Sequence, residues 1–357
     1  MFPATKVVHL ECGTFDHKPI MIFLAGVPKK PQKRWRFEQM WIKDEGCKEV
    51  VEDAWSHDFQ GNPMIRVEGK LDRCRRNLKW WAWVAFGNVT KAIKDKKERL
   101  KNAKMAAIRS GSLTRVQRLK KEISHLLVKE ELMWKQRSRA LWLYEGDSNT
   151  RYFHNRASHQ FRRNRIDSLE NDEGGICIEE EEIATIFVNY YQNLFTSVEL
   201  DLIEEVVEPI PCSIMREMND ALCADFTKEE VVAALRSMEP LKAPGPDGLL
   251  PILFQQFWLT IGDEVAEAVL NFLNSGNIPP SINHTYITLI PKVKSPTKVS
   301  EFRPISLYNI VYKLVSKVIA NRLKDVLPLI ISDSQSAFES DKAIPITYLW
   351  HLRLYTI

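Results

Sequence analysis

The sequence predicts an α+β fold that is predominantly helical. Two observations carry this. Apolar residues recur at near-helical spacing through two long segments, 70–110 and 113–143, that flank Gly111-Ser112. The β-like runs are few and short, and each has a partner across a turn: KVVHL with PIMIFLAGV, 166–169 with 176–178, and 287–290 with 305–307. The 357 residues leave room for two or three domains, and the pattern divides them at 1–27, 28–165, 166–240 and 241–357.

Taken in order, residues 1–27 read as a strand fragment folded about GTFDHK. A basic, proline-rich linker follows from Pro28 to Arg36. FEQMWIKDEGCKEVVEDAW (37–55) is amphipathic and predicts two short helices broken near Gly46. A long helix over 70–110, tryptophan-rich and then lysine-rich, and a second over 113–143 predict an antiparallel hairpin. A small β-hairpin turns at Asp172-Glu173-Gly174-Gly175, and a helix with an acidic first turn covers 179–194, which suits its dipole. Residues 196–224 read as loop. Thr227 and Glu230 form a capping box for the next helix. After the turn-rich LKAPGPDGLL come a helix over 253–274 ending near Gly276, two strands, and an amphipathic helix over 309–327.

The chain is 45% hydrophobic and 27% charged, and no apolar run approaches the roughly 20 residues of a membrane span. The opening MFPATKVVHLECG lacks the basic-then-apolar order of a signal peptide. Six scattered cysteines without a CxxC pair read as reduced thiols, so an intracellular location, nuclear or cytoplasmic, is expected. The net charge of +4 hides a segregation. Residues 91–165 hold 21 Lys/Arg against 7 Asp/Glu, and residues 167–240 hold 3 against 19. The basic block calls for a polyanion such as RNA or DNA, with Trp134, Trp142, Tyr152 and Phe153 nearby to stack on bases. The alternatives are that the two blocks pair with each other or form solvated helix faces.

Two further stretches carry chemistry. KAPGPDG (242–248) packs two prolines and two glycines into seven residues, a rigid loop whose Asp-Gly step favours positive φ. IPKVKSPTKVSEFRPISL (290–307) sets Lys292, Lys294, Lys298 and Arg303 among Pro291, Pro296 and Pro304. A proline-stiffened hairpin bearing fixed cations fits a phosphate: lysine as a point charge, arginine as a planar fork. A solvated surface turn is the plain alternative.

The order KAPGPDG, helix, YITLIPK, basic turn, FRPISL, YK, ANRLKDVLPLIISDSQSAF resembles the reverse transcriptase of plant LINE-type, non-LTR retrotransposons. WLYEGDSNTRYFH (142–154) is similar to that family's signature just upstream of the polymerase, and RFEQMW (36–41) to the segment after its endonuclease. FDHKPI (15–20) resembles the closing serine-Asp-His motif of the endonuclease, with Phe15 in place of the serine. The resemblance implies that 1–27 is a C-terminal endonuclease remnant, 28–165 a helical linker, 166–240 an acidic segment preceding the polymerase, and 241–357 its fingers part. Asp16 and His17 then match the endonuclease's catalytic pair. Lys292, Lys294 and Arg303 match the fingers hairpin over template and incoming triphosphate, and Lys313, Lys317, Arg322 and Lys324 would follow the nucleic-acid backbone.

In the intact family, aspartates hold two magnesium ions for nucleotide addition. They lie beyond the QSAF position, and this sequence has no Asp-Asp pair; after Arg303 its aspartates are Asp325, Asp333 and Asp341. After Phe338 the match lapses: Lys342 stands where an arginine is expected and Ile346 where an aspartate is. The expectation is a truncated fragment that retains no cofactor, is catalytically inactive and at most binds nucleic acid. A non-catalytic nucleic-acid-binding protein acting through 91–165, or an interaction protein with internally paired charge blocks, are the alternatives.

Overall fold

The computed structural model describes residues 6–9, 20–23, 34–85, 87–110, 112–138, 150–171, 173–197, 208, 214–276 and 279–330. The chain divides into two units, Met1–Trp35 and Arg36–Ile357. In the first, β1 (Lys6–His9) and β2 (Ile20–Phe23) pair antiparallel, with Lys6 opposite Phe23 and His9 opposite Ile20. The expected pairing is present. Asp16 and His17 lie between the strands, outside the described residues.

The second unit opens with a 3-10 turn (Gln39–Lys43) and α1 (Glu45–Trp55). Asp44, not Gly46, separates them, its Oδ1 accepting from Gly46 N at 3.2 Å. Gly46 lies inside α1, where a Cβ would strike the Trp81 indole. The helix expected over 70–110 is two helices, α2 (Pro63–Ala85) and α3 (Val89–Ser110). Gly87 turns the chain at φ +53°, and Asn88 Oδ1 accepts from Lys91 N at 3.0 Å to start α3. The sequence signal of this break, Gly-Asn, was outweighed by continuous periodicity.

α4 (Thr114–Ser138) returns along α3 as the expected antiparallel hairpin, with Thr90 bonded to Glu130 at 3.0 Å and Lys96 to Glu122 at 2.6 Å. Its buried apolar residues include Val89, Ile93 and Ala103 on α3 and Val116, Leu119, Ile123 and Met133 on α4, with Leu100 and Ala107 packed at the edge. α5 (Thr150–Arg163) then packs on α4.

The small hairpin β3 (Leu169–Glu170) and β4 (Ile176–Cys177) is closed by Asn171, whose Oδ1 accepts from Gly175 N at 2.6 Å. α6 (Glu180–Phe195) carries Glu180, Glu181 and Glu182 in its first turn, as expected. α7 (Arg216–Cys223) lies where a loop was read; it is short and buries none of its residues, although Met218, Ala221 and Leu222 stand at helical spacing. α8 (Lys228–Arg236) opens on the expected capping box of Thr227 and Glu230. The helix expected over 253–274 breaks at Phe257 into α9 (Pro251–Gln256) and α10 (Trp258–Ser275), the latter ending at left-handed Gly276. After the short α11 (Pro280–Asn283), β5 (Tyr286–Pro291) pairs antiparallel with β6 (Phe302–Leu307). α12 (Ile310–Ile330) runs past Leu327 with Pro328 in its last turn.

The main core lies where α2, α8, α9 and α12 meet α10. Leu253, Phe254, Ile261, Val265 and Leu314 are fully buried there, each contributing about 1.5–3 kcal/mol of transfer free energy. α2 is tied to α10 by Lys70–Glu264 at 2.7 Å and Arg66–Glu267 at 3.1 Å. A second core joins Leu169, Ile183, Phe187 and Tyr191 to Val299 and Phe302. Through it the acidic helix α6 carries the basic hairpin. Among the described residues no helix is long and apolar enough to cross a membrane.

Candidate nucleic-acid interface

The β5–β6 hairpin is fixed at its turn and on one face. Ser295 takes a left-handed φ of +59° between Lys294 and Pro296. Glu301 accepts backbone N–H bonds from Thr297 (2.8 Å) and Lys298 (3.1 Å), which hold its carboxyl below the usual range. Phe302 packs edge-on against Phe187, ring centroids 5.3 Å apart. By the alternation of a strand, Arg303 stands on the opposite face, opposite Ile290 and exposed. Lys294 is also exposed. Lys292 Nζ donates to Ser300 O at 2.6 Å, bracing the turn from which it projects. The structure therefore brings Lys292, Lys294 and Arg303 onto one docked hairpin.

The KAPGPDG loop is a hub. A Cβ on Gly245 would run into the backbone of Tyr308 and Asn309, and Gly248 needs its φ of +73°. Gly248 O accepts from Phe37 N at 2.9 Å, and Asn309 Oδ1 accepts from Asp247 N at 3.2 Å. Phe37 is itself clamped, because buried Gln136 on α4 donates to Phe37 O and accepts from Gln39 N, both at 2.8 Å. One loop thus collects the start of the unit, the end of α4 and the start of α12.

Asp247 and Lys313 share this hub. Burial pushes the Asp247 carboxyl up to about 6, against the pull of its bond from Leu249 N and of the Lys313 and Arg75 charges. Burial likewise lowers Lys313 to about 8, while Asp247 opposes the shift and Lys242 adds to it. Lys313 Nζ donates to Ala243 O at 2.5 Å. Perturbed groups of this kind mark functional sites more often than chance, and the sequence singled out the loop without signalling the pair.

The four cations of α12 divide. Lys313 is tied into the hub. Arg322 lies on the other side of the helix, with its guanidinium bonded to Glu230 and to the carbonyls of Leu222, Ala224 and Asp225, and 3.7 Å from the Phe226 ring centroid. Lys317 is half-buried and Lys324 exposed, on the Lys313 side. Of the aromatics near the basic block, Phe153 is buried, Tyr152 packs against it, and Arg137 lies over Trp134. Trp142 lies outside the described residues. The ion pairs of the basic block run to Glu122, Asp44, Glu38 and, at its border, Asp167; those of the acidic block include Arg322 and Lys298.

No family model matches the chain. It is 28% identical over 341 residues, 90% of its length, to the transposon TX1 uncharacterized 149 kDa protein of Xenopus laevis. It is 28% identical over 202 residues, half of its length, to the RNA-directed DNA polymerase from mobile element jockey of Drosophila melanogaster. Over 169 residues it is 28% identical to the probable RNA-directed DNA polymerase from transposon BS of the same fly. Its relatives are transposon proteins, two of them named as polymerases. The chain spans a quarter of the TX1 protein and a fifth or less of the other two.

Proposed function

We propose that the chain is a stretch of a plant-type, non-LTR retrotransposon polyprotein. In this reading 1–27 is the end of an endonuclease and 28–165 a helical linker. Residues 166–240 lead into the fingers portion of a reverse transcriptase at 241–357. The observation that carries it is the docked β5–β6 hairpin, whose cations Lys292, Lys294 and Arg303 project from a frame fixed by α6 and by a hub of family-like sequence. The similarity to transposon proteins along most of the chain supports it. In this reading the hairpin meets the phosphates of a template or triphosphate, and Lys317 and Lys324 follow the backbone.

The donor set for catalytic magnesium does not fit. Nucleotide addition requires paired carboxylates, and the sequence has no Asp-Asp pair. Asp325 is exposed on α12, while Asp247 is occupied by Leu249 N and lies beside cations. This stretch alone then binds nucleic acid without extending a primer. The test measures affinity for a labelled RNA template across a salt series, alongside primer extension with magnesium and deoxynucleotides. Salt-sensitive binding weakened severalfold by Arg303→Ala, without extension, is expected. Template-dependent incorporation, or absence of binding at low salt, overturns the reading.

A second reading, binding through 91–165 independent of the hairpin, is favoured by the block's charge of +14. It predicts binding indifferent to Arg303→Ala.

A further inference from the structure

The α3–α4 hairpin has a groove along its α4 edge lined by Lys96, Arg118, Lys121, Glu122, His125 and Lys129, with Leu126 in its floor. The α4 residues recur at intervals of three and four, so they share one face over about 16 Å of helix. The one carboxylate among them is already engaged: Glu122 bonds Lys96 at 2.6 Å and Arg118 at 3.0 Å. Lys129 reaches Asp44 at the longer distance of 4.0 Å. Lys121 and His125 are exposed between them.

Such crowding of like charge on one face of α4 is repulsive, and a bound polyanion would relieve it. The lining has no aromatic ring to stack on a base, and Arg118, the one guanidinium there that could fork onto a guanine edge, is engaged by Glu122. The lysines of such a lining suit phosphates. A straight, rigid row of cations suits a partner that turns a regular row of phosphates outward, as a double helix does, while a single strand held by stacking does not.

We propose that this groove seats the sugar–phosphate backbone of a nucleic-acid duplex, independent of its sequence. The inference deepens the nucleic-acid-binding reading, rests on it, and assigns the linker a contact separate from the β5–β6 hairpin.

The test uses the full chain and a short labelled duplex, with one of its strands as comparison, between about 50 and 200 mM salt. Lys121→Gln with Lys129→Gln should lower the duplex salt slope by about 1–2, since each phosphate contact contributes about 0.9, and weaken low-salt binding at least tenfold. Lys121→Gln with His125→Gln, which leaves the Asp44 contact intact, should show the same direction. Lys94→Gln with Lys101→Gln removes equal charge from exposed positions of α3 outside the groove and should change affinity less than twofold. Equal losses from both lysine pairs would mean that net charge, not the groove, binds. Equal losses on duplex and single strand would reject the duplex as occupant. Duplex binding weakened by Arg303→Ala but untouched by the groove changes would reject the groove and leave the broader reading standing. No binding by the unaltered chain would reject both.

Discussion

The Arg322 guanidinium and the Glu230 carboxylate lie side by side, Nε to Oε1 at 2.6 Å and Nη2 to Oε2 at 2.9 Å. Glu230 is also the carboxylate of the capping box that starts α8. The same guanidinium accepts no role as a loose backbone cation, because it also holds the carbonyls that end α7. Arg322→Gln should therefore destabilise the unit by about 1–3 kcal/mol, as loss of charge-assisted hydrogen bonds at a partly buried site does, and a urea titration reads this. The salt slope of RNA binding should stay unchanged.

That pair also gives a pH dependence. Arg322 first, and the Thr227 backbone after burial's opposing effect, hold Glu230 below the usual carboxylate range. A depressed carboxyl contributes stability above its unfolded pKa and loses it as pH falls through the folded value. Acid unfolding should begin at higher pH in Arg322→Gln than in the unaltered chain, and a circular dichroism titration checks the order.

Asp247 gives the opposite sign. Its folded pKa is raised to about 6 from 3.8, so the folded state holds the proton more tightly. Stability should fall as pH rises from about 4 to 6, by roughly 2–3 kcal/mol from this group. Lys313, lowered to about 8 from 10.5, should return stability only as pH rises above 8. Asp247→Asn should abolish the fall between pH 4 and 6, measured as urea midpoints.

Gly245→Ala places a methyl against the backbone of Tyr308 and Asn309, which cannot rotate aside. A loss of about 2–3 kcal/mol is expected from overpacking. Because Asn309 orients the Asp247 amide, the pH dependence of stability should shift as well.

Phe302→Ala should cost about 3–5 kcal/mol, the usual range for a buried phenylalanine. Its effect should be local: the β5–β6 amides should lose hydrogen-exchange protection while α10 keeps its own. Nucleic-acid affinity should drop although every cation remains.

The elements with a local signal were legible. Thr227 and Glu230 announced a cap, the long periodic segments before and after 111–112 a pair of packed helices, and the three β-hairpins their pairing. The errors share a cause. Gly46 read as a breaker because a sequence cannot show that the Trp81 indole occupies its missing side chain. The break at Phe257 carries no proline or glycine, and α7 is held by an arginine about a hundred residues away. The β5–β6 pairing that carries Lys292 and Arg303 was legible because two short apolar runs flank a polar turn. The Asp247–Lys313 pair was not, since nothing local marks two charges as buried together.

The ties between α2 and α10 have a consequence for synthesis. Lys70 and Arg66 wait for partners 194 and 201 residues further along. At about 5–20 residues per second, translation needs roughly 10–40 s to deliver them. Throughout that interval the part of α2 that packs on α10 has no partner there. A ribosome stalled short of α10 should therefore hold α2 in a protease-sensitive state.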